Sequence, residues 1–174
     1  MKSFKLISGL LISIIVVIVT VKVINYIPYL IQKDSMRRYN SIEEVKKNLK
    51  IKDLYTPTFF PEGLVWPPSN ILAQGKPFLT VILEFNNSKN SSTDLIICQS
   101  ASEKFKYNEK IRIKNMIDRI NYSFKGRNIS ILTFSCEDGI ICTNASWKED
   151  KYTITVIARF EPPQLLKIIE SMIH

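Results

Sequence analysis

The sequence predicts an α+β protein in which an N-terminal transmembrane helix is followed by a curved antiparallel sheet packed against a C-terminal helix. Three observations predict this architecture. An uncharged run of branched apolar residues extends from Leu6 to Val21. Alternation of apolar and polar residues, the pattern of strands, recurs between residues 79 and 158. Helical spacing of apolar residues follows Pro162 and Pro163 near the end of the chain.

The composition beyond the apolar run is that of an ordinary folded domain. The chain has 174 residues, of which 45% are hydrophobic and 23% charged, so one core is expected and a disordered tail is not. Lys and Arg outnumber Asp and Glu by 24 to 16, which gives a net charge of +8. Such an excess suits contact with anionic lipid, cell-wall polymer or nucleic acid, and it selects none of them.

The N-terminal run is predicted to stay in the membrane. It is uncharged from Leu6 to Val21, and Val23 and Ile24 extend it beyond Lys22, whose long side chain can reach the membrane interface. About 20 residues of helix cross the hydrocarbon layer. A cleaved signal peptide is the alternative, but no pattern of small residues typical of a cleavage site follows the run. We therefore expect residues 1–25 to form a cytoplasmic stub and a transmembrane anchor.

The orientation in the membrane is less clearly marked by charge. Lys2 and Lys5 precede the run, whereas four basic residues follow it by position 38, and this count leans slightly toward a cytoplasmic domain. The extreme N-terminal position of the run instead resembles an export signal that was never cut. The residues themselves leave both orientations open.

The chain after the anchor is predicted to begin with a tether and a short helix. Residues 26–40, which include Pro28, predict the tether, and residues 41–174 predict the domain. Asn40 or Ser41 can cap the helix, because short polar side chains accept hydrogen bonds from the first free N–H groups. The apolar positions at helical spacing are Ile42, Val45 and Leu49.

The middle of the chain predicts extended segments. Four prolines between residues 55 and 68 indicate an extended stretch broken by turns, whose aromatic side chains are expected to cover one edge of the core. Residues 79–85 and 95–99 alternate as strands do, and the polar residues 86–93 join them as a loop.

The C-terminal half predicts a three-stranded antiparallel meander with one buried and one wet face. We place two-residue turns at Asp138-Gly139 and Glu149-Asp150, so that Cys136 faces Ile141 across the first hairpin. A further hairpin near Gly126-Arg127 is expected to involve residues 119–124, and the final helix covers one side of the sheet. The predicted buried face contains Leu132, Phe134, Cys136, Ile141, Ala145, Trp147, Tyr152, Ile154, Val156 and Ala158.

The three cysteines are expected to be free. In the predicted register Cys136 and Cys142 point to opposite faces, which a disulfide cannot bridge because its Cβ atoms must lie within about 4.5 Å. Cys98 lies in another strand and is expected to be a small buried apolar residue. The only histidine is the terminal His174.

No catalytic, cofactor or metal site is predicted. The sequence lacks Cys-x-x-Cys, His-x-x-x-His, Gly-x-Ser-x-Gly and Walker motifs, so we expect no enzyme, no cofactor and no metal. The acid pairs Glu137-Asp138 and Glu149-Asp150 are interpreted as turn formers. The basic residues between 104 and 127 are diluted by acids, so a nucleic-acid partner is not expected either.

The order of several motifs resembles a known bacterial family. They are Phe-Pro-Glu-Gly at 60–63, the strand at 79–85, the strand at 95–99 ending in Cys-Gln, the segment 111–113, Ala-Ser-Trp at 145–147, Lys-Tyr-Thr-Ile at 151–154 and the final helix at 165–171. This order is similar to the membrane-anchored extracytoplasmic domain of unknown function related to sigma-factor regulators. Through that domain it distantly resembles the half-barrel of lipoprotein carriers. The resemblance covers roughly residues 55–172.

The resemblance implies a periplasmic or other extracytoplasmic domain, held at the outer face of the bacterial inner membrane. We expect a non-enzymatic binding or sensing module, in contact with the lipid bilayer and binding either an apolar ligand on its concave sheet or an envelope protein partner. If the apolar face is only a core, Trp147, Phe134 and the final helix will fill it. The alternative function is a structural subunit or assembly factor of an envelope complex.

Overall fold

The computed structural model describes residues 12–24, 36–103, 105, 107 and 110–173. The chain divides into two compact units, Met1–Met36 and Arg37–His174. In the first unit residues 12–24 form helix α1, whose apolar side chains are exposed. Within the described residues, no helix has the length and apolar character that crossing a membrane requires. Residues 1–11 of the expected anchor lie outside the described residues, so the anchor stays a prediction.

The second unit is an α+β domain built on one open antiparallel sheet of eight strands, as the fold class predicted. Helix α2 is Ile42–Leu49 and helix α3 is Pro162–Met172. The strands lie in the order β1-β2-β3-β4-β8-β7-β6-β5. Their bounds are β1 Arg37–Tyr39, β2 Asn70–Gln74, β3 Thr80–Asn86, β4 Thr93–Ser100, β5 Ile113–Phe124, β6 Arg127–Cys136, β7 Ile141–Glu149 and β8 Tyr152–Ala158.

The start of the domain combines a predicted helix with an unpredicted strand. Ser41 caps α2 by accepting a hydrogen bond from the N–H of Glu44, and the Glu44 carboxylate accepts one from the N–H of Asn40. The pair is similar to a capping box, except that Glu44 accepts from the N–H of the residue before the cap rather than from that of the cap itself. The last residues of the expected tether, Arg37–Tyr39, pair with β2 instead of leading freely into the helix. Residues 26–35 lie outside the described residues.

One face of the sheet, called the inner face, packs against α3 and forms the main core. Leu165, Ile168 and Ile169 of α3 are fully buried in this core. The final helix and Trp147 thus fill the apolar face, as one of the two considered outcomes had it, whereas Phe134 lies on the opposite face and takes no part. The inner-face residues in this core are Ile71, Ala73, Val81, Leu83, Phe85, Leu95, Ile97, Ile129, Ile131, Ala145, Trp147, Ile154, Val156 and Ala158.

The predicted register of the β6–β7 hairpin is wrong by one residue. Ser135 pairs with Ile141, and Cys136 donates its N–H to the carbonyl of Ile140, so the loop has three residues rather than two. Gly139 supplies the positive φ of +80° that this type of loop requires. A one-residue change reverses the faces of a strand. Ile129 and Ile131 of β6 are therefore on the inner face, whereas Leu132, Phe134 and Cys136 are on the opposite, outer face.

The corrected register explains why the expectation of free cysteines fails for one pair. Cys136 and Cys142 now share the outer face, their Cα atoms are 5.9 Å apart, and they form a disulfide. This separation is within the usual range for disulfides. Cys98 is buried and free, as predicted.

The turns of the other two C-terminal hairpins are displaced from their predicted positions, and the β7–β8 hairpin keeps its predicted faces. The β7–β8 turn is Asp150-Lys151, and Trp147 pairs with Ile154 on the inner face. The β5–β6 turn is Lys125-Gly126, in which both residues have positive φ. Both loops contain two residues, and β7 and β8 keep their predicted faces because the β7–β8 turn moved by a whole residue rather than changing length.

The outer face is buried over the centre of the sheet, contrary to the prediction that this face is wet. Ile82, Ile96 and Ile157, which lie on it, are at most 3% exposed. Described residues of the connection from β4 to β5 lie over this face. Ile111 is fully buried, and Lys110 reaches Glu84 on β3.

Candidate functional site

The two edges of the sheet differ in length. β1 has three residues, whereas β5 has twelve and pairs only with β6. Every residue from Lys114 to Asn121 is exposed, and Met116, Ile117 and Ile120 have exposed fractions of 62%, 59% and 44%. A long edge strand with exposed apolar side chains can pair with another chain. This makes β5 the candidate functional site within the described residues.

Two irregularities divide β5. Lys114 and Ile117 have no partner in the β6 register, so each is the extra residue of a β-bulge. Bulges disturb pairing and turn an edge away from other strands. From Asp118 to Phe124 the register is regular. We call the free side of these residues, Asp118–Phe124, the β5 edge.

The backbone groups of the β5 edge can be assigned from the turn. In a two-residue hairpin the residues flanking the turn, here Phe124 and Arg127, share a hydrogen bond. Because hydrogen-bonded and non-hydrogen-bonded pairs alternate, the N–H and C=O groups of Arg119, Asn121 and Ser123 point away from β6. The N–H of Arg119 donates to Oδ1 of its neighbour Asp118 at 2.7 Å, which agrees with this outward direction.

The charges along β5 are mostly positive. Residues 112–127 contain five basic residues and one acid, Asp118. Arg112 is paired with Glu137, and Arg127 with Glu149. Among the described residues Arg119 has no acidic side-chain partner. The guanidinium of Arg119 therefore lacks an acidic partner among the described residues and lies on a strand with exposed apolar side chains.

The tip of the β5–β6 hairpin is fixed to α3. The Tyr122 hydroxyl donates to Oε1 of Glu170 at 2.7 Å, and this hydrogen bond, with burial, raises the pKa of Tyr122. Lys125 Nζ donates to the carbonyl of Ile173 at 3.1 Å. These hydrogen bonds hold this end of β5 in place, so a partner would bind a preformed surface.

A buried carboxylate, that of Glu84 on β3, lies on the outer face in the half of the sheet away from β5. Glu84 is fully buried, and its oxygens accept hydrogen bonds from Asn70 Nδ2 at 2.9 Å, from the Tyr107 hydroxyl at 2.7 Å and from Lys110 Nζ at 2.5 Å. Asn70 in turn accepts from Arg38 Nε. Because three donors occupy its two oxygens, Glu84 holds Tyr107 and Lys110 to the sheet and offers no open site.

An open cleft of about 380 Å³ lies between the proline-rich stretch and the β6–β7 hairpin. Its charged lining includes the ion pair of Arg127 with Glu149, at 2.6 Å. Burial, followed by the charges of Glu149 and Asp150, raises the pKa of Tyr55 to about 12. The guanidinium nitrogens of Arg127 donate to Glu149 and to the carbonyl of Lys125. The Arg127 guanidinium in this cleft is therefore already paired.

The acid pairs and the cysteines noted in the sequence lie in different parts of the domain and do not form one site. Glu137 and Asp138 lie in the β6–β7 loop as predicted, with Asp138 paired to Arg159. Glu149 is not in a turn, contrary to prediction, but is a largely buried strand residue. Burial raises the pKa of Cys98 to about 12, so its thiol is unreactive at neutral pH.

No set of three or more His, Cys, Asp or Glu residues in the described part of the chain is arranged to hold a metal ion. His174 lies outside the described residues. The expectations of no metal, no cofactor and no enzymatic activity stay predictions.

Sequence reasoning recognised only the last part of β5. Residues 119–124 alternate because their register is regular, whereas the bulges at Lys114 and Ile117 break the alternation before them. The clustering of Met116, Ile117 and Ile120 among basic residues was the available signal for an exposed edge.

Comparison with known proteins gave no family model, no curated protein and no solved structure that matches this chain.

Proposed function

We propose that this chain is a membrane-tethered, non-enzymatic binding module of the bacterial envelope whose partner is a protein. The observation that carries the proposal is the β5 edge, a regular strand edge with outward backbone groups and an exposed apolar side chain, Ile120. Monomeric soluble proteins shield such edges, and where an edge stays open it is a template for pairing.

The tether is supported by the first part of the chain. The apolar run from Leu6 to Ile24 has nearly the length of a membrane span, and its described part, residues 12–24, is helical with exposed apolar side chains. The disulfide between Cys136 and Cys142 favours an extracytoplasmic domain, because such bonds persist in oxidising compartments.

A protein partner is favoured over an apolar ligand by the packing of the inner face. The side chains of Leu165, Ile168 and Ile169 fill the side of the sheet on which an acyl chain was expected to bind. The described clefts, in contrast, are open to solvent rather than enclosed, and the cleft at Arg127 and Glu149 contains an ion pair.

Site-specific photocrosslinking of the full chain in intact cells tests the proposal. A photoreactive residue at Ile120 should give discrete protein adducts, whereas the same residue at Lys89, exposed in the β3–β4 loop, should give none. Equal labelling at the two positions, or no protein adduct at Ile120, would contradict a docking role for β5. A single dominant adduct of fixed stoichiometry favours the alternative of a structural subunit or assembly factor.

Two fractionation experiments test the tether and its orientation. The chain should remain with membranes after a high-salt wash, because an apolar helix holds it there rather than charge. Protease added to intact spheroplasts should digest the domain. Recovery of the chain in the salt-washed soluble fraction contradicts the tether, and full protection in spheroplasts places the domain in the cytoplasm.

A further inference from the structure

We propose that the β5 edge binds an extended peptide segment that combines acidic and β-branched residues and adds to the sheet as a ninth strand. This inference rests on the proposed function, because it names the chemistry of the partner for the same surface. It follows from the direction of the backbone groups, the length of the regular edge and the charge beside it.

The backbone of the β5 edge provides the main hydrogen bonds. The outward N–H and C=O groups of Asn121 and Ser123 and the outward carbonyl of Arg119 are spaced two residues apart, as a pairing strand requires. The N–H of Arg119 already donates to the carboxylate of the preceding residue. The bulge at Ile117 ends the regular edge on one side, and the turn at Lys125 ends it on the other. A segment of about seven residues therefore matches the available length.

The side chains determine the composition of the added strand. Ile120 is 44% exposed although its β6 partner Ile131 is buried, so a β-branched residue beside Ile120 would remove its remaining apolar surface from water. Arg119 points to the other face and has no acidic side-chain partner among the described residues. A carboxylate beside it would supply that partner.

Two other occupants fit less well. A second copy of the chain would bring another basic edge to this one, between molecules that each carry a net charge of +8. A nucleic acid could neutralise the cations, but it would leave the apolar side chain of Ile120 without an apolar partner. A peptide with acidic and β-branched residues would supply both a carboxylate for Arg119 and an apolar side chain beside Ile120.

Synthetic peptides test the inference on the full chain in neutral detergent micelles. The probe is a fluorescent seven-residue peptide that alternates valine and glutamate, and its matched control alternates valine and lysine. The glutamate peptide should bind saturably and the lysine peptide about tenfold more weakly, because the control brings like charges together. Equal binding of the two peptides would overturn the assignment of an acidic partner.

A pair of substitutions at Asn121 tests the backbone contact. Asn121→Pro removes an N–H that faces away from β6, so the sheet should tolerate it, while the affinity for the glutamate peptide should fall about tenfold with the lost hydrogen bond. Asn121→Ala keeps the N–H and should bind within about twofold of the unchanged chain. Ser123→Pro repeats the test at the next outward position. Unchanged affinity in a folded proline variant would overturn strand addition.

Charge reversal provides a test that does not depend on proline. Arg119→Glu should reverse the preference, so that the lysine peptide binds more tightly than the glutamate peptide. An unchanged preference would overturn the role of Arg119. If neither peptide binds saturably but Ile120 still crosslinks to a protein in cells, strand addition fails while the proposed function stands. If Ile120 crosslinks only to a second copy of the chain, the acidic partner is overturned.

Discussion

Strands β3 and β5 belong to one sheet but have opposite surroundings. Every residue from Thr80 to Phe85 in β3 is buried, because α3 packs with one face and the β4–β5 connection covers the other. Every residue from Lys114 to Asn121 in β5 is exposed. The difference indicates that the centre of the sheet determines stability, while the β5 edge is available for binding at little cost to the fold.

The largest expected effect compares apolar side chains of the two strands. Ile82→Ala, on the outer face of β3, should lower the free energy of unfolding by about 2–5 kcal/mol, because Ile82 is fully buried. Ile120→Ala in β5 should change it by less than about 0.5 kcal/mol. Urea unfolding of the full chain in detergent measures both. Similar values for the two variants would mean that the outer face is not a core.

The second effect concerns the cover of the outer face. Glu84→Gln removes the buried charge that Lys110 meets at 2.5 Å and should lower the free energy of unfolding by about 1–3 kcal/mol. Hydrogen exchange at Tyr107 and Lys110 should also become faster, because this carboxylate accepts hydrogen bonds from their side chains. Glu62→Gln, at an exposed position, is the control. Unchanged hydrogen exchange in Glu84→Gln would mean that this carboxylate does not hold Tyr107 and Lys110 on the outer face.

The third effect concerns the disulfide at the outer end of β6 and β7. Replacement of both Cys136 and Cys142 by serine should lower the free energy of unfolding by about 2 kcal/mol, because the closed loop is short. Cys98→Ser leaves the bond in place and controls for loss of a thiol. Thiol labelling without reductant should modify neither the disulfide nor buried Cys98 in the folded chain. Rapid labelling of two thiols would show that the bond is absent.

The smallest expected effect is the pH dependence of the ion pair between Asp138 and Arg159. Burial alone would raise the pKa of Asp138, but the N–H of Ile140 and the Arg159 guanidinium outweigh it and lower this pKa. A lowered folded pKa stabilises the fold above the unfolded value of about 3.9, and the contribution disappears as pH falls below it.

Asp138→Asn should therefore cost less than about 1 kcal/mol at pH 7, since Asp138 is partly exposed and solvent screens the pair. Unfolding curves at pH 7 and pH 3 measure this cost. The cost should shrink at the lower pH. An equal cost at both pH values would assign the effect to turn geometry rather than charge.

The sequence was sufficient where a pattern depends on neighbouring residues. The cap at Ser41, the start of α3 at Pro162 and the pairing of Trp147 with β8 on the inner face follow from local spacing. These features depend on hydrogen bonds and side-chain periods within a few residues. Local patterns therefore predicted the α+β class and the antiparallel meander.

Loop length and long-range covering were decided by the tertiary structure. Three residues rather than two in the β6–β7 loop moved Cys136 to the face of Cys142, and no local pattern distinguishes the two loops. Lys110 lies over the outer face because Glu84, distant in sequence, binds it. A sequence shows which residues can be buried or paired. Contacts between distant segments decide which residues are in fact buried or paired. Such contacts therefore also decide that β5 remains an open edge.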